Sequence, residues 1–275
     1  MLPTDLTNAS DGPPPGSSAY YALLRCAPPQ RAGLTALLRF HVQVRAIATT
    51  VSDLSVAQAK LAWWGAQLDA MERGTVEHPT LRALAPFALA SGLRAQALHG
   101  VIDSVQLDLQ QNRWMDRPAL LHYAKTGSGQ TLRNSAVLLG LSGEVALALV
   151  EQLGVGLRLV SSIRHLGRDA AQGRIYLPLD ALRRHGVTAA QLQQRRMEAG
   201  VATLLAEQST LARQSIEQAL AGLTPFARTQ TAPLRALGAM ALALLREIER
   251  ADYAVLHQRI SLTPLRKLWI SRTCR

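Results

Sequence analysis

Cysteine is almost missing from this chain of 275 residues: Cys26 and Cys274 stand at opposite ends. Two such residues make no CxxC pair, no Cys/His zinc pattern and no disulfide framework, so a reducing compartment is the expectation. Aromatics are scarce, at 4%. They do not interleave with basic stripes as a stacking platform would require, and no nucleic-acid partner is expected. No run of alternating β-branched residues occurs, which excludes a sheet. No uninterrupted apolar run reaches the ~20 residues of a membrane span; the longest candidates, 136–150 and 234–245, contain Glu144 and Arg235. The opening MLPTDLTNASDGPPPGSS lacks a basic region and an apolar region, so no signal peptide is expected. The expected location is cytoplasmic, with peripheral attachment to the inner membrane face as a variant.

What the chain does hold is apolar and basic. Apolar residues make up 48%, enough for a sizeable core, and 30 basic residues against 19 acidic give +11. Lys60, Lys125 and Lys267 are the only lysines; the remaining cations are arginines, which bind phosphate and carboxylate as a planar fork. Residues 1–17 are rich in Pro, Gly and Ser and predict a disordered tail. From Ser18 to residue 275 the periodicity is helical. Positions 57–71 and 191–223 read as amphipathic helices, as does 234–256, and Leu98, Ile102, Val105 and Leu109 form one stripe. Gly and Pro mark the breaks, among them Pro28, Pro79, Gly127 to Gly129, Gly173, Pro225 and Pro264. About ten helices in one all-α domain, around an interior wide enough for an apolar cavity, are predicted.

The segment 161–182, SSIRHLGRDAAQGRIYLPLDAL, carries most of the chemistry. On a helix His165 and Asp169 share a face, either as part of a metal pair or as a local hydrogen bond. Gly173 ends that helix and a turn begins at Tyr176.

RHLGRDAAQGRIYLP, from Arg164 to Pro178, resembles the RDxxED…GRxYLP helix of the squalene/phytoene synthase family, in particular its bacterial presqualene diphosphate and hydroxysqualene synthases. SSAYYALL, with Ser18, is similar to the family's entry segment. LTALLRFHVQV with AKLAWW resembles its first aspartate helix, VIDSVQLDLQQNRW its central helix, and RKLWI its closing segment; His78-Pro79 also matches. The resemblance covers nearly all of 17–272. It implies an isoprenoid-synthase-type domain in which two aspartate-rich helices hold Mg²⁺, the metal draws off the diphosphate of a prenyl substrate, and apolar walls shield the carbocation.

Against that pattern the acids are gone. The first motif falls on Arg45, Ala46 and Thr49, with Val42 in the preceding basic position. In the second, His165 and Arg168 replace acids and Asp169 alone remains. Arg158 and Ser161 stand where amides are usual, and Thr126 where a tyrosine is. Arg164, Arg174, Tyr176, Asp103 and Asp108 are retained. Arg45, Arg168 and Asp169 leave +1 where the family pattern carries −6, or +2 with His165 protonated. Such a rim repels Mg²⁺ and attracts a diphosphate through Arg forks. The expectation is therefore a degenerate site without a metal. It would bind a prenyl diphosphate or other lipid through Arg45, Arg158, Arg164, Arg168 and Arg174, or support a catalytic paralogue or other protein. The alternative is an active Mg²⁺-dependent prenyl transferase relying on Asp103, Asp108 and Asp169. Arg266, Lys267, Arg272 and Arg275 around Leu268, Trp269 and Ile270 suit an anionic membrane surface or an ordinary packed helix.

Overall fold

The computed structural model describes residues 12–274. The predicted tail, as far as residue 11, and Arg275 lie outside the described residues. Within 12–17, Pro13 is buried and Ser17 accepts from the Tyr20 amide as the first helix cap.

Helix occupies 75% of the chain, and the described residues form one domain with no strand. The helices are α1 (Ser18–Leu23), α2 (Pro28–Thr50), α3 (Leu54–Glu72), α4 (Pro79–Ser91) and α5 (His99–Gln110). Then come α6 (Arg117–Ala124), α7 (Gln130–Leu138), α8 (Glu144–Arg164), α9 (Leu166–Ala171) and α10 (Leu179–Arg184). The last are α11 (Ala189–Gln193), α12 (Ala199–Gly222), α13 (Pro225–Gln230), α14 (Ala232–Arg250) and α15 (Pro264–Thr273). Among the described residues fifteen α-helices stand against the ten expected, and five of them, α1, α9, α10, α11 and α13, are only five or six residues long. The segment 191–223 breaks at Arg195, whose φ is +57°, and 234–256 stops at Arg250, beyond which Asp252 and Tyr253 also take positive φ. Starts were easier to read. Proline stands in the first turn of α2, α4, α13, α14 and α15, where its missing N–H costs nothing. Asp53 and Asp116 cap α3 and α6 through backbone amides.

Two apolar clusters form the interior. One draws only on residues from Ala36 to Val105, in α2 to α5 and the turn before α5. The other joins α1 and one face of α2, with Leu34 and Leu38, to α6–α15. Gly127 to Gly129 do not break the chain; a π-helical turn (Lys125–Gly129) carries α6 into α7. It sits tightly between α5 and α8. A Cβ at Gly100 would lie 2.7 Å from the Thr126 carbonyl oxygen, and one at Gly154 2.5 Å from that of Ser128, closer than a side-chain carbon can approach. The helix α8 is long and apolar enough to cross a membrane by length and composition; 56% of its apolar window is buried inside the protein.

A cleft of about 570 Å³ opens between α6, α8 and α12; no motif position lines it, so it is not the central cavity expected between the two motif helices.

Candidate functional site

Between the two apolar clusters lies a knot of charged and aromatic side chains. Arg45 comes from α2, Asp108 from α5, Tyr123 from α6 and Arg158 from α8. The Tyr123 hydroxyl is its hub. It donates to Asp108 Oδ2 at 2.7 Å and accepts from Arg45 Nη1 at 3.1 Å and Arg158 Nη2 at 2.9 Å. One donor and two lone pairs are thereby all used. Arg45 Nη2 also stands 3.6 Å from Asp108 Oδ2. Burial opposes the charge of Arg45, but the Tyr123 oxygen and Asp108 outweigh it and hold its pKa above the ordinary value. Burial likewise raises Tyr123, against the pull of Arg158 and Arg45, so the phenol keeps the proton it donates.

The segment after Gly173 closes the knot. Gly173 takes φ +77° and ends α9, as read from the sequence. The chain then runs extended rather than turning at Tyr176. Ile175 N donates to Asn112 O, Leu179 N to Trp114 O, and Trp114 pairs with Pro178 in a single parallel bridge. This places Arg174 across the top, donating to the Asp108 and Ala48 carbonyls, each at 2.9 Å. It also stacks Tyr176 on Tyr123 at 5.7 Å and 11°, with Trp114 on the other face of Tyr123 at 4.3 Å. The Arg158 guanidinium lies 4.4 Å from the Tyr176 ring centre and 5.1 Å from that of Tyr123, a cation–π contact with both.

His165 and Asp169 flank the knot, but α8 kinks at His165 and α9 restarts beyond it. His165 Nδ1 is 3.2 Å from Ser161 Oγ. Burial first, then Arg168, Arg164, Arg259 and Arg158, drive its pKa down to about 2. The imidazole is neutral, and the two motif positions sum to +1 rather than +2. Arg168 clamps Asp169 at 2.9 Å. Burial pushes that carboxyl above its usual range, while Arg168, Arg158 and Arg45 pull it back.

The structure thus gathers Arg45, Asp108, Arg158, Arg174 and Tyr176, with Arg168 and Asp169 alongside. It separates others. Asp103 is exposed on the far side of α5 and takes no part. Ser18 and Arg164 line a different, small cavity with Lys267, and Arg164 Nε donates to the Ile260 carbonyl. Thr49 is exposed and bonds the Ala46 carbonyl; Thr126 bonds the His122 carbonyl. Neither reaches the knot, and no predicted site residue lines the 570 Å³ cleft. Sequence reasoning missed Tyr123 and Trp114, the hub and its stacking partner. Tyr123 lies one helical turn before Thr126, and reading 117–138 as one helix would have turned it toward α5.

A family model described as squalene/phytoene synthase matches residues 13–266. The chain belongs to the squalene/phytoene synthase family. It is 29% identical over 174 residues to presqualene diphosphate synthase of Sinorhizobium fredii, covering 63% of this chain and 62% of that protein. The chain therefore spans under two thirds of that relative's length. A dehydrosqualene synthase solved with a ligand superposes with a TM-score of 0.80 at 19% identity, over 93% of this chain and 89% of the other. Squalene synthase HpnC of Alicyclobacillus acidocaldarius gives 0.76 at 20%, over 85% and 88%. At such identities the likeness is one of fold.

Squalene/phytoene synthase family members usually depend on Mg²⁺. The residues of this chain do not fit that ion. Among the described residues no three His, Cys, Asp or Glu side chains gather. Of the two buried carboxylates near the knot, Asp108 holds Tyr123 and Asp169 is clamped by Arg168. Guanidinium groups occupy the space where a hard cation would need oxygen ligands.

Proposed function

We propose that this chain is a non-catalytic member of the squalene/phytoene synthase family. Its function is to bind a prenyl diphosphate, or an anionic lipid of similar chemistry, without metal. The observation that carries this reading is Arg45. It stands at the first acid position, points inward, and is held by Tyr123 beside Asp108. A metal-triggered departure of diphosphate needs carboxylates there. An arginine at that point supports anion recognition instead, and Arg45, Arg158 and Arg174 against Asp108 leave the knot at +2. Arg forks bind phosphate oxygens directly, each charge-assisted bond contributing roughly 1.5–3 kcal/mol. The bound lipid would serve a partner protein or a membrane-attached pathway, and the exposed Leu265 and Trp269 on α15 support the membrane side of that role.

Two measurements on the purified full chain test it. With farnesyl or geranylgeranyl diphosphate and Mg²⁺ at high protein concentration, no pyrophosphate is released. Calorimetry with EDTA present detects prenyl diphosphate binding that weakens with salt and falls at least about tenfold in Arg158→Ala. Turnover abolished by Asp169→Ala, or binding only when Mg²⁺ is added, overturns the proposal.

A further inference from the structure

The cleft between α6, α8 and α12 shares no residue with the charged knot. It exists because α6 and α12 both run antiparallel to α8 yet hardly touch each other. Tyr123 faces Arg158 and Lys125 pairs with Glu151 along one side of α8. On the other side Gln152 meets Gln218. The two outer helices leave a trough over α8 whose floor runs from Ala148 to Leu159, about 16 Å at the usual helical rise and long enough for a chain of about a dozen carbons.

Its lining is divided by chemistry. Leu120, Leu121, Val155, Leu159 and Leu211 give apolar walls. Among them sits Gln208, 5% exposed, whose amide has no partner among the described residues. That amide is open to the trough rather than sealed in the core, so a head group entering the trough can use both its N–H and its C=O. Arg117 falls at the same end of the trough by the pairing of the helices. It is exposed and makes no ion pair among the described residues. Glu151, the one carboxylate in the lining, is already paired with Lys125 at 3.1 Å. The volume of about 570 Å³ lies within the usual range of small-molecule sites, which combine apolar walls with a few placed polar groups.

We propose that this cleft is a second ligand site, for a single-chain amphiphile with an anionic head. The chain lies along Val155, Leu159 and Leu211, and the head meets the Gln208 amide and Arg117. The site is independent of the anion site proposed above, and neither proposal rests on the other.

The test is calorimetry on the full chain with three twelve-carbon probes below their micellar concentrations: dodecyl phosphate, laurate and dodecanol. In the Arg158→Ala chain, where the knot no longer competes for anions, both anions bind with one-to-one stoichiometry and dodecanol at least about tenfold more weakly; the tighter anion identifies the head as phosphate or carboxylate. Gln208→Leu weakens the anions about tenfold. Leu211→Trp fills the trough and abolishes binding. Ala148→Trp does the same from an exposed position that leaves the core untouched, so a folding defect in the first variant does not decide the matter. Anion binding that persists in the Arg158→Ala chain and is lost when Ala148→Trp is added separates this site from the knot. Absence of anion binding, equal binding of dodecanol, or binding unchanged in Ala148→Trp and Gln208→Leu overturns the proposal.

Discussion

At the scale of single residues, the charged knot shows how one substitution remakes a site. Arg45 alone would bury an unpaired cation. Tyr123 and Asp108 make it tolerable, and Arg158 completes the set. Replacing an acid at 45 was visible in the sequence; the compensating tyrosine was not, because its contact crosses 78 positions. The two buried histidines give a prediction. His165 and His41 both stay neutral, chiefly through burial, with His165 near 2 and His41 well below its ordinary value. In the unfolded chain each titrates near 6.5. Below that pH the unfolded state binds protons that the native state refuses, so stability falls as pH drops. The slope is about 1.4 kcal/mol per pH unit for each histidine. Thermal melts between pH 7 and pH 4 should show this decline, shallower in His165→Asn; a flat profile contradicts the assignment.

At the scale of elements, helix starts and the GRxYLP segment were legible, since proline, capping aspartates and Gly173 act through local geometry. Helix ends at Arg195 and Asp252 were not, because non-glycine residues adopt left-handed φ there under tertiary packing. The π-helical turn was hidden for the same reason: two glycines in five residues look like a break, yet they serve close helix contact. Gly154→Ala would drive a methyl into the Ser128 carbonyl, at 2.5 Å. We expect a loss of about 1–3 kcal/mol in urea unfolding, with a smaller loss for an alanine at the unstrained, exposed position Gln172. Equal effects at the two sites would show that the turn has room to shift.

At the scale of the whole molecule, the basic balance does not spread evenly. Leu265 and Trp269 protrude from α15, 79% and 65% exposed, with Arg272 on the same helix and Arg25 bonded to the carbonyls of Ser271 and Arg272. Ile270, by contrast, is buried, and Lys267 reaches the Gly16 carbonyl. Vesicles containing anionic lipid should sediment with the protein, and neutral ones should not. Leu265→Ser with Trp269→Ser should cut binding about tenfold; unchanged sedimentation would leave α15 as an ordinary packed helix. The division into two apolar clusters has a consequence in time. The cluster of α2 to α5 uses a single continuous stretch of chain, so it can assemble on the ribosome once that stretch has emerged. The other needs α1 to meet α14 and α15, a contact between residues 250 positions apart that waits until α15 has emerged. The knot takes Arg45 and Asp108 from the early unit and Tyr123, Arg158 and Arg174 from the late one. It is therefore complete only once the two units have docked.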